Sequence, residues 1–167
     1  KRSQSINWTV KYGNVAIYEN NRFPNDGMNE AGLTARTLYY ADGSPNEIVA
    51  PDSKKKELDE DHWVSFVLDN FATFAESSNA IRSQVHIVSV VGRKGSGYSY
   101  ATPKHLAIAD ATGDSAIVEI QDGKVEIFHG REFQLLTNNP PYQEQLANAA
   151  KYKNVQQEKL PGSWSGV

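Results

Sequence analysis

The strongest constraint on the fold is a period-two alternation of side chains between His105 and Phe128, interrupted by two turn signals. His105, Ala107 and Ala109 point to one side of an extended chain, and Leu106 and Ile108 to the other. Ala116, Val118 and Ile120 then oppose Ile117 and Glu119, and Val125 and Ile127 oppose Glu126 and Phe128. Gly113 marks one turn, inside Asp110-Ala111-Thr112-Gly113-Asp114. Asp122-Gly123 is the dipeptide of a type I′ hairpin, whose two central residues need positive φ. Parallel neighbours would need a crossover of roughly a dozen residues or more, so the run is an antiparallel meander. A last strand, Phe133 to Thr137, ends at Asn138-Asn139-Pro140-Pro141. There the residue before a proline is kept extended, and Pro141 fits the first turn of a helix. Asn138 is therefore expected at a rigid strand end.

The remaining elements fall around this meander. Ile6 to Val10 and Gly13 to Glu19 read as short strands, with Trp8, Val10, Val15 and Ile17 available to one buried layer. Asn20 to Gly27 has loop chemistry. Leu33 to Ala41 reads as a strand with Leu33, Ala35, Thr37 and Tyr39 on one face, followed by a polar, aperiodic loop from Asp42 to Glu60. From Asp61 the period becomes helical through Trp63, Phe66, Val67 and Phe71, with Asp59, Glu60 and Asp61 at the positive end of the dipole. Thr73 and Glu76 have capping-box spacing ahead of a second helix, Phe74 to Ile81. Val85 to Val91 is a β-branched strand and Gly92 to Tyr98 a loop. Strands, two helices, more strands and a last helix predict an α+β layered fold, with the helices packed on a mostly antiparallel sheet.

Composition narrows the function classes. With 167 residues and 39% hydrophobic content the chain suits one domain with a sizeable core. A net charge of -3, with 17 basic residues spread along the sequence, gives no footprint for nucleic acid or an acidic membrane surface. No apolar run reaches the ~18 residues of a helical span. With no cysteine, these residues offer neither a thiol nucleophile nor a thiolate metal site. His62, His86, His105 and His129 lie far apart in sequence and read as surface residues, so no metal and no cofactor is expected.

Few residues stand out for chemistry. Gly92 to Gly97 lacks the Gly-Lys-Ser/Thr ending of a phosphate loop and reads as a plain connection. Asp110 and Asp114 flank a turn, where aspartates are favoured locally. Asn138 is the best candidate, since an amide at a strand end can present a fixed donor to a developing oxyanion. An asparagine there also ends the strand and satisfies the helix start. On residues alone that structural reading outweighs the catalytic one.

Several motifs in order carry a resemblance. Asp26-Gly27-Met28-Asn29-Glu30-Ala31-Gly32-Leu33, Val67-Leu68-Asp69-Asn70-Phe71-Ala72-Thr73, His105 to Asp110, Gly113 to Glu119, and Leu136-Thr137-Asn138-Asn139-Pro140 resemble the choloylglycine hydrolases. That family includes bile-salt hydrolases and penicillin V acylases, and the likeness is to its Gram-negative branch. The resemblance implies an αββα sandwich of the N-terminal-nucleophile type that cleaves a linear amide bond in an N-acyl compound. It implies an N-terminal cysteine as nucleophile, its α-amino group as base, a nearby arginine and aspartate, an oxyanion asparagine and a later arginine. Asn138 matches the oxyanion asparagine. Tyr39 falls at a position that is asparagine in many bile-salt hydrolases and aromatic in penicillin acylases, implying a substrate contact. Tyr18 and Phe23, on a loop from Tyr18 to Phe23, and Val91, within Val88 to Tyr100, correspond to the pocket rim.

The same resemblance implies that the chain, which begins with Lys1, is an internal portion of a longer hydrolase domain. The cysteine and the early and late arginines would then come from missing segments or partner chains, and a homo-oligomer is expected. The 167 residues alone are expected to be inactive, and loss of the first strand would leave a sheet edge unpaired. The alternative is a non-catalytic homologue that binds acyl ligands or a protein partner.

Overall fold

The computed structural model describes residues 5–19, 23–40, 54–88, 104–121, 124–133 and 135–152. Six strands form one antiparallel sheet: β1 (Asn14–Glu19), β2 (Phe23–Asn29), β3 (Thr34–Tyr39), β6 (Lys104–Ala109), β7 (Ser115–Gln121) and β8 (Lys124–His129), in that spatial order. Two helices, α1 (Trp63–Asn70) and α2 (Phe74–Ser83), follow β4 (Lys56–Asp59) and a 3-10 turn at Glu60–His62, and precede β5 (Val85–Val88). A last helix, α3 (Tyr142–Lys151), closes the described chain. Among the described residues the large sheet ends at β1 on one side and β8 on the other.

The meander forms as its alternation predicts. Leu106 pairs with Val118 and Ile108 with Ala116, while Val118 pairs with Ile127, so these side chains share the inner face of the sheet. They meet Trp63, Val64, Val67, Leu68 and Phe74 from α1 and α2 in one core. Each fully buried Leu, Ile or Phe there stabilises the fold by roughly 1.5–3 kcal/mol. Gly113 adopts φ of 81°, as its turn requires. Gln121 pairs with Lys124, the register of a two-residue loop, although Asp122 and Gly123 lie outside the described residues. The N-cap also forms, with the return bond falling one residue before Thr73. Thr73 Oγ1 accepts the Glu76 N–H at 3.3 Å, and Glu76 Oε2 accepts the Ala72 N–H at 2.9 Å.

Elsewhere tertiary packing overrides local propensity. Asn20 to Gly27 is not a loop throughout, because β2 starts at Phe23. Its Phe-Pro-Asn-Asp-Gly sequence suits turns, but strands pair on both sides, and Pro24 falls at a bulge opposite Tyr18. Gly27 permits the approach of α1: an added Cβ would lie 2.7 Å from Leu68 Cδ1 and from the Val15 carbonyl oxygen. Ile6 to Val10 is not a strand. Ser5 makes one isolated bridge to Glu57, and Trp8 anchors the segment by donating Nε1–H to Asp69 at 2.8 Å and packing edge-on against Phe66. Val10, Val15 and Ile17 do not join a buried layer and are exposed, as is Met28. The expected loop up to Glu60 contains β4, which pairs in parallel with β5 because α1 and α2 form the crossover between them. His86 and His105 are buried rather than at the surface.

Among the described residues the outer face of the sheet is covered only toward β8. There Tyr142 of α3 packs on Phe128 and Phe133 at centroid distances of 4.9 and 6.1 Å. Over the middle strands lies an open hollow of about 460 Å³ lined in part by Thr34, Arg36, Leu38, Ala107 and Leu136. Among the described residues the six-stranded sheet thus carries α1 and α2 on its inner face and α3 at the β8 end of its outer face.

Candidate functional site

Asn138 is held, but not by a strand. Thr137 lies outside any strand, and its N–H and C=O are both taken by one side chain: Gln145 Oε1 accepts the N–H at 2.8 Å, and Gln145 Nε2 donates to the carbonyl at 2.9 Å. The same Nε2 donates to the Pro140 carbonyl at 2.7 Å. The expected strand Phe133 to Thr137 fails because this buried amide stands in for a neighbouring strand. Pro141 occupies the N-cap of α3 rather than its first turn, and the Asn139–Pro140 peptide is cis.

One residue further on, the Asn138 carbonyl lies 3.2 Å from His105 Nε2. That nitrogen is the donor, since a carbonyl oxygen can only accept. His105 is fully buried in β6 with Tyr40 tilted against its ring at 4.4 Å. Its Nδ1 lies 3.0 Å from Glu119 Oε1, a close approach without the alignment of a direct hydrogen bond. Glu119, also fully buried, accepts the Tyr142 N–H at 3.2 and 3.3 Å and the Gln121 amide at 2.9 Å. Asn138 itself is exposed, and among the described residues its carboxamide has no hydrogen-bond partner.

The structure places Tyr39 and Asn138 on one small cavity of about 150 Å³, lined also by Asn25, Thr37, Leu38 and Lys104. This is below the roughly 300–1,000 Å³ of whole-ligand pockets. Tyr39 donates its hydroxyl to Glu19, which also accepts from Asn25 at 2.9 Å. That bond to Glu19, reinforced by burial and by the charges of Glu19 and Asp61, pushes Tyr39 up to about 12. The Tyr39 and Asn25 bonds in turn hold Glu19 below the usual carboxylate range. Lys104, mostly buried, pairs with Asp61 at 2.7 Å and lies 5.9 Å from the Tyr39 ring centroid. Tyr39 is therefore a neutral, tethered aromatic at neutral pH.

Other candidates fall elsewhere. Tyr18 and Phe23 are not loop residues; they sit on β1 and β2, where Tyr18 is exposed and Phe23 packs edge-on against His62 at 5.1 Å. Neither lines the Asn138 cavity, and Val91 lies outside the described residues. Asp110 has a structural task. Burial raises its carboxyl, but bonds from Thr112 and from the Phe74 N–H, which it caps at 3.0 Å, outweigh this and lower it. Among the described residues no three His, Asp or Glu side chains gather as a metal site, and no helix is long and apolar enough to cross a membrane. Sequence reasoning missed Lys104, His105 and Gln145. Their signal was slight: a histidine opening an otherwise apolar strand, and a glutamine one turn into the helix that follows Asn138.

The model of the linear amide C–N hydrolases, choloylglycine hydrolase family, matches residues 5–166. The chain belongs to this family. Among curated relatives, the penicillin V acylase of Pectobacterium atrosepticum is 35% identical over 156 residues, covering 90% of this chain and 41% of that protein. The bile salt hydrolase/transferase of Clostridium perfringens is 27% identical over 166 residues, covering 96% and 48%. Among solved structures, a penicillin V acylase from Agrobacterium tumefaciens superposes with a TM-score of 0.73 at 39% identity, over 89% of this chain and 43% of that one. The chain thus spans less than half the length of these relatives. The six-stranded sheet and the helices packed on it are part of the αββα sandwich of N-terminal-nucleophile hydrolases.

Proposed function

We propose that the complete protein hydrolyses the linear amide bond of an N-acyl compound, and that Asn138 donates a hydrogen bond to the oxyanion formed on the way. The attacking group is a cysteine thiolate supplied from outside these 167 residues, with its own α-amino group as base. Sulfur bonds to the amide carbon, and the carbonyl electron pair moves onto oxygen. The tetrahedral centre collapses as the C–N bond breaks and the amine leaves with a proton. Water then cleaves the acyl thioester and regenerates the thiol. Without their missing partner groups, the 167 residues alone turn nothing over.

The observation that carries this reading is the state of Asn138: an exposed carboxamide with no partner among the described residues, on main chain held from both sides. Main chain held before reaction leaves less of the donor to reorganise when charge develops. Tyr39 beside it offers an aromatic face to the acyl group. This favours an aryl-bearing acyl chain such as that of penicillin V over a conjugated bile salt. The test is a panel on the complete protein of penicillin V, a conjugated bile salt and an acyl-homoserine lactone. Penicillin V should give the highest kcat/KM, and turnover of none of the three would favour the second reading. That second reading is ligand binding without catalysis.

A further inference from the structure

Three buried polar side chains from three different elements converge on the short segment that carries Asn138. His105 of β6 and Glu119 of β7 have no exposed surface, and Gln145 of α3 is 3% exposed. Between them, His105 and Gln145 engage the Thr137 N–H and the Thr137, Asn138 and Pro140 carbonyls. Glu119 does not touch the segment; it lies against the His105 ring at Nδ1 and accepts the first N–H of α3, so it abuts the ring and holds the helix that brings Gln145.

This arrangement is more than the segment needs in order to fold. Thr137, Asn138 and Asn139 are exposed, so water is at hand for their main-chain polar groups. A buried carboxylate and imidazole are costly to desolvate, and replacing such a pair with apolar side chains of similar volume is often neutral or stabilising. The polar brace therefore has an evident use in placement. It fixes the Asn138 backbone in position and leaves only two side-chain torsions to set the carboxamide, whereas a misplacement of ~1 Å at a reacting centre can lower the rate ~10²-fold.

We propose that His105 and Gln145 are positioning residues for the oxyanion donor, with Glu119 orienting both. The proposal rests on the oxyanion reading of Asn138. The test compares kcat and KM for penicillin V in the complete protein across Asn138→Ala, His105→Leu, His105→Gln and the double variant Asn138→Ala/His105→Leu. His105→Leu should lower kcat by ~10–100-fold with KM changed less than ~3-fold. His105→Gln, which keeps a donor near the Nε2 position, should recover most of that loss. In the double variant the His105 change should add less than ~3-fold to the loss from Asn138→Ala, because a positioning residue has nothing left to position. Multiplying losses, or a His105→Leu enzyme within ~3-fold of wild type while Asn138→Ala is crippled, would overturn the proposal and leave the oxyanion reading intact. An Asn138→Ala enzyme of unchanged kcat would overturn both. Thermal unfolding checks that each variant folds. Should His105→Leu not fold, Gln145→Met alone and combined with Asn138→Ala is judged by the same criteria.

Discussion

At the β7–β8 end of the sheet both faces are covered, by α2 and the core on one side and by Tyr142 of α3 on the other. At the β1–β2 end α1 covers one face, through Leu68 against Gly27, and Val15, Ile17 and Met28 stand exposed on the other. The difference decides where polar side chains can be used for placement. Between two layers, Glu119 and His105 are shielded from water, and their contacts reach the Asn138 carbonyl. With one layer, outward side chains touch little, and the backbone pairing of β1 with β2 holds that edge.

Truncation at the covered end should have the largest effect. Tyr142→Ala removes a fully buried aromatic from contact with Phe128 and Phe133. It is expected to cost about 3–5 kcal/mol in denaturant unfolding, as other aromatic core truncations do. A cost below ~1 kcal/mol would mean that α3 does not seal this end.

A smaller effect should appear at the cavity between the two ends. The Tyr39 hydroxyl, pushed up to about 12, should remain protonated through the ~10 of an ordinary tyrosine. Because its folded pKa is raised, the stability from its bond to Glu19 is fully present below ~10 and is lost as pH rises through about 12. Glu19, held low by the same bond, contributes above the ordinary carboxylate range and loses that contribution as pH falls through its depressed value. A 295 nm absorbance titration of Tyr39→Phe against wild type should show the missing step near 12; a missing step near 10 would break the assignment.

The smallest effect should lie on the bare face. Ile17→Ser is expected to change the stability of this 167-residue chain by less than about 0.5 kcal/mol. In a full-length αββα sandwich whose second sheet covered this face, it would cost about 1–3 kcal/mol by loss of a buried apolar side chain. Equal effects in the two would contradict the view of this face as half of a sandwich.

What was legible in the sequence follows the same division. The alternation from His105 to Phe128 gives β6, β7 and β8, and Thr73 with Glu76 gives the start of α2, because in each the signal is local. β2 was hidden because Phe23 to Gly27 has turn propensities throughout, and only the two flanking strands and Leu68 make it extended. Asn138 was legible as a candidate, while the means of holding it was not. The partners of its segment, His105 and Gln145, lie 33 residues before it and in the following helix, and their convergence depends on where α3 lands on the sheet. Tyr18 and Phe23 were placed on the rim by resemblance alone, and they occupy strands rather than the loop expected there.

The most direct test of the account is the turnover of Asn138→Ala in the complete protein with penicillin V at saturation. Loss of one preorganised oxyanion donor should lower kcat by ~10²–10³-fold with the fold intact by circular dichroism. A kcat within a few-fold of wild type would contradict the role of Asn138 and leave the choloylglycine hydrolase fold as the part of the account still standing.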